Sequence, residues 1–162
     1  EWVVGNLTEF DGKPLASVAK GGLDLGKLED EAEKAAVEKE TGELKDLLDK
    51  MKTSLGDKVK EVRVTHRLTD SPACLVADEH DMGMNLARLM KAAGQNMPIS
   101  KPILEINPTH PVVLRLKYED KQFEDWAAVL FDQALLAEGG TLDDPASFVK
   151  RINQLMLAMN TN

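Results

Sequence analysis

A glycine-rich stretch is the first place in this chain where residue type and spacing could do chemistry. The stretch GGLDLGKL at 21–28 places two glycines and Lys27 at the G-x-x-x-x-G-K spacing of a phosphate-binding loop. Such a loop needs Ser or Thr at the next position to ligate magnesium, and Leu28 stands there. Asp24 would also set a negative charge against the phosphates. We therefore interpret 21–28 as a flexible linker, not as a nucleotide site.

Histidine and cysteine are the other candidates for metal or nucleophilic chemistry. His66, His80 and His110 have no partner at i+4 and no cysteine pair, so the spacing of a zinc site is missing. Cys74 is the only cysteine, which excludes an internal disulfide and favours a reducing, cytoplasmic location. We expect no catalytic residue, no cofactor-binding residue and no metal ligand in this sequence.

Cys74 itself allows two interpretations. It lies in the apolar run ACLVA, which favours a small buried hydrophobic side chain. The alternative is a reactive thiol, either as a sensor or in a hydrolase with His and Asp, because such triads assemble in space and leave no fixed spacing.

Charge and hydropathy exclude two kinds of partner. The 162 residues carry a formal net charge of −8, and an acidic surface repels the phosphate backbone of nucleic acids. The apolar runs are far shorter than the ~20 residues that a membrane-spanning helix needs. No basic segment followed by an apolar segment opens the sequence, so we expect no secretory signal. We predict a cytoplasmic protein without nucleic-acid or membrane partners.

The elements that would position these residues predict an α+β fold. A long N-terminal helix is expected over 28–55, and its second half carries an apolar stripe at helical spacing. The stripe consists of Leu44, Leu47, Leu48, Met51 and Leu55. Strands are predicted within 58–68, at 73–77 and at 102–106, which makes a small three-stranded sheet. A short helix should follow, with Asn107 as N-cap and Pro108 as its first residue.

The glycine-rich linker divides the chain into two parts. Residues 1–20 contain an Asp11-Gly12 turn and too few apolar residues to form a core of their own. We therefore assign 1–26 to the end of a preceding unit with its linker, and 27–162 to one domain.

A Met-rich helix is predicted over 79–93, between the second and third strands. Its stripe is formed by Met82, Leu86, Leu89 and Met90. Methionine side chains are flexible and polarisable, which suits a surface that accepts varied partners. Packing on the sheet as ordinary core is the other interpretation, and the pattern leaves both open.

Two apolar helices are predicted at 119–137 and 144–159, joined by the connector EGGTLDDP. A helical hairpin at the end of the chain cannot easily bury so much apolar surface alone, so we expect a second copy of the chain to cover it. The predicted dimer interface comprises Trp126, Leu130, Phe131, Ala134, Leu135, Phe148, Ile152, Leu155, Met156 and Met159.

Several segments in order resemble the C-terminal domain of the ninety-kilodalton heat-shock chaperones, in the bacterial branch of the high-temperature protein G type. They are VRVTHRLTDSPACLV, LMKAAGQ, LEINPTHPVV, DQALLAEGGTLDDP and RINQLM. The stretch LTEFDGKPLASVAK near the start resembles the end of that family's middle domain. The resemblance covers nearly the whole chain.

The resemblance implies a homodimerisation domain of an ATP-dependent chaperone. The last two helices of each subunit would form an intermolecular four-helix bundle. The Met-rich helix would project into the cleft and contact unfolded or partly folded clients. ATP and magnesium would bind in the N-terminal domain of the parent protein, so this part should be non-catalytic.

The sequence differs from the family's pattern at two places, and two alternative functions stay open. The chain ends in LAMNTN, not in an acidic pentapeptide, so no tetratricopeptide-repeat co-chaperone is expected. Gly83 should weaken the Met-rich helix by about 1 kcal/mol relative to alanine. The rival functions are a purely structural dimerisation scaffold and a Cys74-dependent thiol enzyme or sensor.

Overall fold

The fold is known from a computed structural model that describes Leu7 and residues 9–15, 39–78, 94 and 100–159. The elements in chain order are β1 (Glu9–Phe10), β2 (Lys13–Pro14), α1 (Lys45–Leu55), β3 (Glu61–Val64), β4 (Ala73–Val76), β5 (Ile103–Ile106), α2 (Pro111–Leu116), α3 (Phe123–Ala137) and α4 (Pro145–Met159). A 3-10 turn, Gly56–Lys58, links α1 to β3. The α+β prediction with a small three-stranded sheet is confirmed.

A small hairpin and a mixed sheet contain the strands. The first two strands pair antiparallel around Asp11 and Gly12, whose positive φ angles of 51° and 72° fit a tight hairpin turn. The larger sheet has the order β3-β5-β4, with β3 parallel and β4 antiparallel to the central strand. All four residues of β5 are buried.

The core lies on one face of this sheet. Alternate residues of the three strands point to that face, and they pack with the apolar stripe of α1 and with α3. The predicted stripe of α1 is buried throughout, with Met51 fully enclosed. Lys50 adds a contact between α1 and the start of α3, since its Nζ lies 4.1 Å from the ring centroid of Phe123.

The short helix after β5 begins three residues later than the sequence predicts. His110 is the N-cap of α2, with its Nδ1 accepting the backbone N–H of Val112 at 3.2 Å, and Pro111 is the first helical residue. Asn107 is buried and stabilises the preceding turn instead. Its Oδ1 accepts from Thr109, and its Nδ2 donates to the carbonyl of Leu68 at 3.1 Å. The segment contains an Asn-Pro and a His-Pro pair, and either could begin the helix. The contact of Asn107 with Leu68 favours the His-Pro pair.

Two glycines shape the turn between α3 and α4. Gly139 has a φ of +70°, and its N–H and that of Gly140 bond to the carbonyls of Leu136 and Leu135. This is the Schellman arrangement that ends many helices. A Cβ on Gly140 would lie 2.5 Å from Cδ1 and 2.8 Å from the carbonyl oxygen of Leu135. The close approach therefore requires glycine at position 140.

Gly140→Ala should destabilise the fold because the added methyl group clashes with Leu135. We expect the free energy of unfolding to fall by about 1–3 kcal/mol in urea denaturation. Gly42→Ala is the matched control, since a Cβ at that helical position meets nothing within 4 Å. It should leave stability unchanged or raise it by up to about 1 kcal/mol. Equal effects at the two positions would contradict the close packing of this turn.

Candidate functional site

The last helix, α4, is fixed at its start and sparsely buried along its length. The carboxylate of Asp144 accepts the backbone N–H of Ser147 at 3.0 Å, and Pro145 occupies the first helical position. Hydrogen bonds from Ser147 hold the pKa of Asp144 below its usual range. Of the fifteen residues in α4, Leu155 alone is fully buried. The helix thus rests on α3 through a narrow strip.

The side of α4 next to this strip exposes apolar side chains to solvent. Val149 is 54% exposed, Met156 is 51% exposed and Met159 is 43% exposed, and Ile152 between them is half-buried. These four residues recur at helical spacing and share one side of the helix. We call them the outer stripe.

The predicted interface residues on α3 have a different environment. Leu130, Phe131 and Ala134 are buried in the core of the single chain, and Leu130 is only 1% exposed. Trp126 and Leu135 are partly buried and pack against the same core. The apolar side of α3 therefore contacts α1 and β4 within the chain.

Among the predicted interface residues on α4, Met156 and Met159 are exposed. Phe148 and Ile152 are half-buried, and Leu155 packs inward. The interface set omits Val149, which is the most exposed member of the outer stripe. Val149, Ile152 and Met156 are spaced at i, i+3 and i+7, and this spacing could have placed Val149 in the predicted interface.

Charged side chains join α4 to α3 beside the buried strip. The Arg151 guanidinium on α4 lies 3.5 Å from Oδ1 of Asp125 and 3.9 Å from Oδ2 of Asp132, both on α3. Lys58 from the 3-10 turn also approaches Asp132, at 3.9 Å. Asp132 is buried, and burial raises the pKa of its carboxyl group in spite of the two cations.

A second ionic cluster lies on the sheet face opposite the core. Glu105 on β5 is buried, and its Oε1 accepts from Arg63 Nε at 2.9 Å and from Nη2 at 2.6 Å. Arg67 binds the other carboxylate oxygen. Two guanidinium groups therefore neutralise this buried carboxylate, which makes it a structural ion pair.

Cys74 faces this cluster from β4, directly opposite Glu105 in the register. Its side chain is half-buried, and its Sγ lies 3.9 Å from Glu105 Oε2. Burial, together with the charge of Glu105, raises the pKa of the thiol to about 11. The thiol is therefore protonated at neutral pH, which disfavours a nucleophilic or redox-sensing role.

The histidines that the structure describes have local structural contacts. His66 Nε2 lies 3.3 Å from Glu40 Oε2, and His110 caps α2. Across residues 39–78 and 100–159, no three His, Cys, Asp or Glu side chains come together as a metal site would require. None of the helices in these ranges is long and apolar enough to cross a membrane. His80 and the predicted client-binding residues Met82, Leu86, Leu89 and Met90 lie outside the described residues.

Comparison with known proteins shows the protein family to which this chain belongs. The family model described as Hsp90 protein matches residues 1–161, so the chain belongs to the Hsp90 protein family. The chain is 81% identical over 159 residues to "Chaperone protein HtpG" of Aromatoleum aromaticum, covering 98% of this chain and 24% of that protein. It is 76% identical over 160 residues to the protein of the same name from Dechloromonas aromatica, covering 99% and 25%. The chain thus spans about a quarter of the length of these relatives.

Cys74 should react slowly with an alkylating reagent because its thiol stays protonated. With a pKa near 11 in place of 9.0, the thiolate fraction at pH 8 falls about 100-fold, and the rate should fall with it. Ser71→Cys in a Cys74→Ser background gives an exposed control thiol nearby. The rate at Cys74 should rise about tenfold from pH 8 to pH 9. Equal rates for the two thiols would restore the reactive-thiol hypothesis.

Proposed function

We propose that this chain is the C-terminal homodimerisation domain of a bacterial Hsp90-family molecular chaperone. The observation that carries the proposal is the outer stripe of α4, an apolar surface that the single chain leaves uncovered. The relatives of high identity are named as chaperones. The sequence segments quoted above resemble the C-terminal domain of that family. Exposed apolar patches on such a helix are typical of protein–protein contact sites.

A second copy of the chain fits the outer stripe for a physical reason. A two-fold axis beside α4 would bring Val149, Ile152, Met156 and Met159 of one subunit against the same residues of the other. Apolar burial contributes about 25 cal/mol per Å², and association entropy offsets part of it. A stable interface needs roughly 1,000 Å² or more. In this proposal α4 supplies most of the contact, and α3 completes the four-helix bundle from its rim, at Trp126 and Leu135.

The proposed role of the dimer is mechanical. A permanent joint between two chaperone subunits raises the effective concentration of their distant domains for each other. Those domains would bind ATP and magnesium and hydrolyse ATP elsewhere in the parent protein, and this part would be non-catalytic. The parent protein would act in the cytoplasm, without tetratricopeptide-repeat co-chaperones.

A client-binding role is the second part of the proposal. The Met-rich helix with Met82, Leu86, Leu89 and Met90 would present its stripe to unfolded or partly folded clients. The rival function is a purely structural scaffold that dimerises without contacting clients. The raised pKa of Cys74 weighs against the thiol enzyme or sensor.

Met156→Glu should convert the dimer into a monomer. The side chain is 51% exposed in the single chain, so the substitution should leave the unfolding free energy within about 0.5 kcal/mol. In a dimer it would bury an unpaired charge, and we expect the dissociation constant to rise at least about 100-fold. Sedimentation equilibrium measures the change.

Gln154→Glu is the control for this substitution, since it adds the same charge on a different side of α4. It should leave the dissociation constant within about threefold of the unsubstituted chain. Equal effects of the two variants would show that net charge, not the outer stripe, governs association. Leu130→Glu is unsuitable as a test because Leu130 is buried in the core and the variant would unfold.

Serine at Met82, Leu86 and Met90 together should weaken client protection. If the stripe contacts clients, suppression of aggregation of a denatured test protein should fall severalfold with little change in unfolding free energy. Leu114→Ser with Tyr118→Ser is the control, because both are exposed apolar residues on or beside α2. A large loss of stability with unchanged client protection would identify the stripe as core and favour the scaffold.

A further inference from the structure

The orientation of α4 on α3 needs more than its apolar contacts. Leu155 is the only fully buried residue of the helix, and Phe148 and Ile152 are half-buried. So few apolar contacts do not by themselves fix the rotation of a helix about its axis. Arg151 lies one turn before Leu155 and faces the same way. Its guanidinium reaches Asp125 at 3.5 Å and Asp132 at 3.9 Å. Two charge–charge contacts thus lie beside the apolar contact of Leu155.

The two acids also fix the position of α4 along α3. Asp125 and Asp132 are seven residues apart, which places them two turns apart on one side of α3. Arg151 lies between them and contacts both, so a shift of α4 by one turn, about 5.4 Å, would break one contact or both. Asp132 is further held by Lys58 at 3.9 Å.

We propose that Asp132 and Arg151 are positioning residues, which set the rotation and register of α4 so that the outer stripe faces the second copy of the chain. The inference deepens the proposed function and rests on it for the identity of the partner. With α4 rotated by one residue, about 100°, Val149 and Met156 would leave the surface that the second copy meets.

The energetics of Asp132 favour positioning over stabilisation. Burial raises the pKa of its carboxyl group even though Lys58 and Arg151 lower it. A carboxyl group whose pKa is raised on folding favours the folded state more when it is protonated than when it is ionised. The ionised Asp132 therefore adds nothing to stability at neutral pH through its charge. The Asp132 carboxylate is buried while the Arg151 side chain is about a third exposed, so the pair is better suited to orienting α4 than to stabilising the fold.

Asp132→Asn is the direct test, since it removes the charge and keeps the shape. We expect the dissociation constant of the dimer to rise about tenfold while the melting temperature stays equal or rises. In the monomeric Met156→Glu background, the same change should reduce the hydrogen-exchange protection of α4 amides. Asp132→Glu returns the charge and should bring the dissociation constant back to within about threefold of the unsubstituted chain.

The controls separate this inference from the proposed function. Asp49→Asn makes the same chemical change at an exposed position of α1, and it should change none of the three readouts. If the unsubstituted chain is a dimer and Asp132→Asn dissociates no more readily, the positioning role is wrong and dimerisation stands. If the melting temperature and the dimer are lost together without rescue by Asp132→Glu, Asp132 is a stabilising residue only and the inference fails. If the unsubstituted chain is a monomer, the proposed function itself fails.

Discussion

The burial of α3 against α1 and β4 is the packing on which the rest of this fold depends. Phe123, Ala127, Leu130 and Ala134 follow one another along its inner side and close the core over the sheet. Their burial completes a hydrophobic core within one chain. It also removes most of the apolar side of α3 from any partner. The Schellman turn at Gly139 and Gly140 then directs α4 back onto what remains of the α3 surface.

As a result, the two sides of α4 differ in their contacts. Its inner strip contains one buried leucine and one arginine that pairs with two acids of α3, while its outer stripe stays apolar and exposed. A helix with so few buried contacts in its own chain would gain order from a partner, as the proposed dimerisation requires. The chain belongs to the Hsp90 protein family, and its relatives of high identity are named as chaperones. The exposed outer stripe of α4 is the observation behind the proposed dimer.

Sequence patterns predicted the positions of helices and strands better than the contacts that these elements make. The alternation in β3, the apolar run of β4 and the apolar stripe of α1 were sufficient to predict the sheet and one side of the core. The predicted N-cap of α2 was wrong because both Asn107-Pro108 and His110-Pro111 fit the pattern of an N-cap followed by proline. The contact between Asn107 and Leu68 decides between them. The apolar residues of α3 and α4 were assigned together to an interface, although periodicity cannot tell burial within a chain from burial between chains. The contact between Arg151 and Asp132 could not be predicted for a similar reason. The i, i+4 spacing identifies pairs within one helix, and these two residues lie on different helices.

The mass of the chain in solution tests the central claim most directly. Sedimentation equilibrium of the 162-residue chain at tens of micromolar should give twice the monomer mass of 17.8 kDa, with dissociation only on dilution. A single species of 17.8 kDa across that range would contradict the account, because the outer stripe of α4 would then have no second copy to cover it.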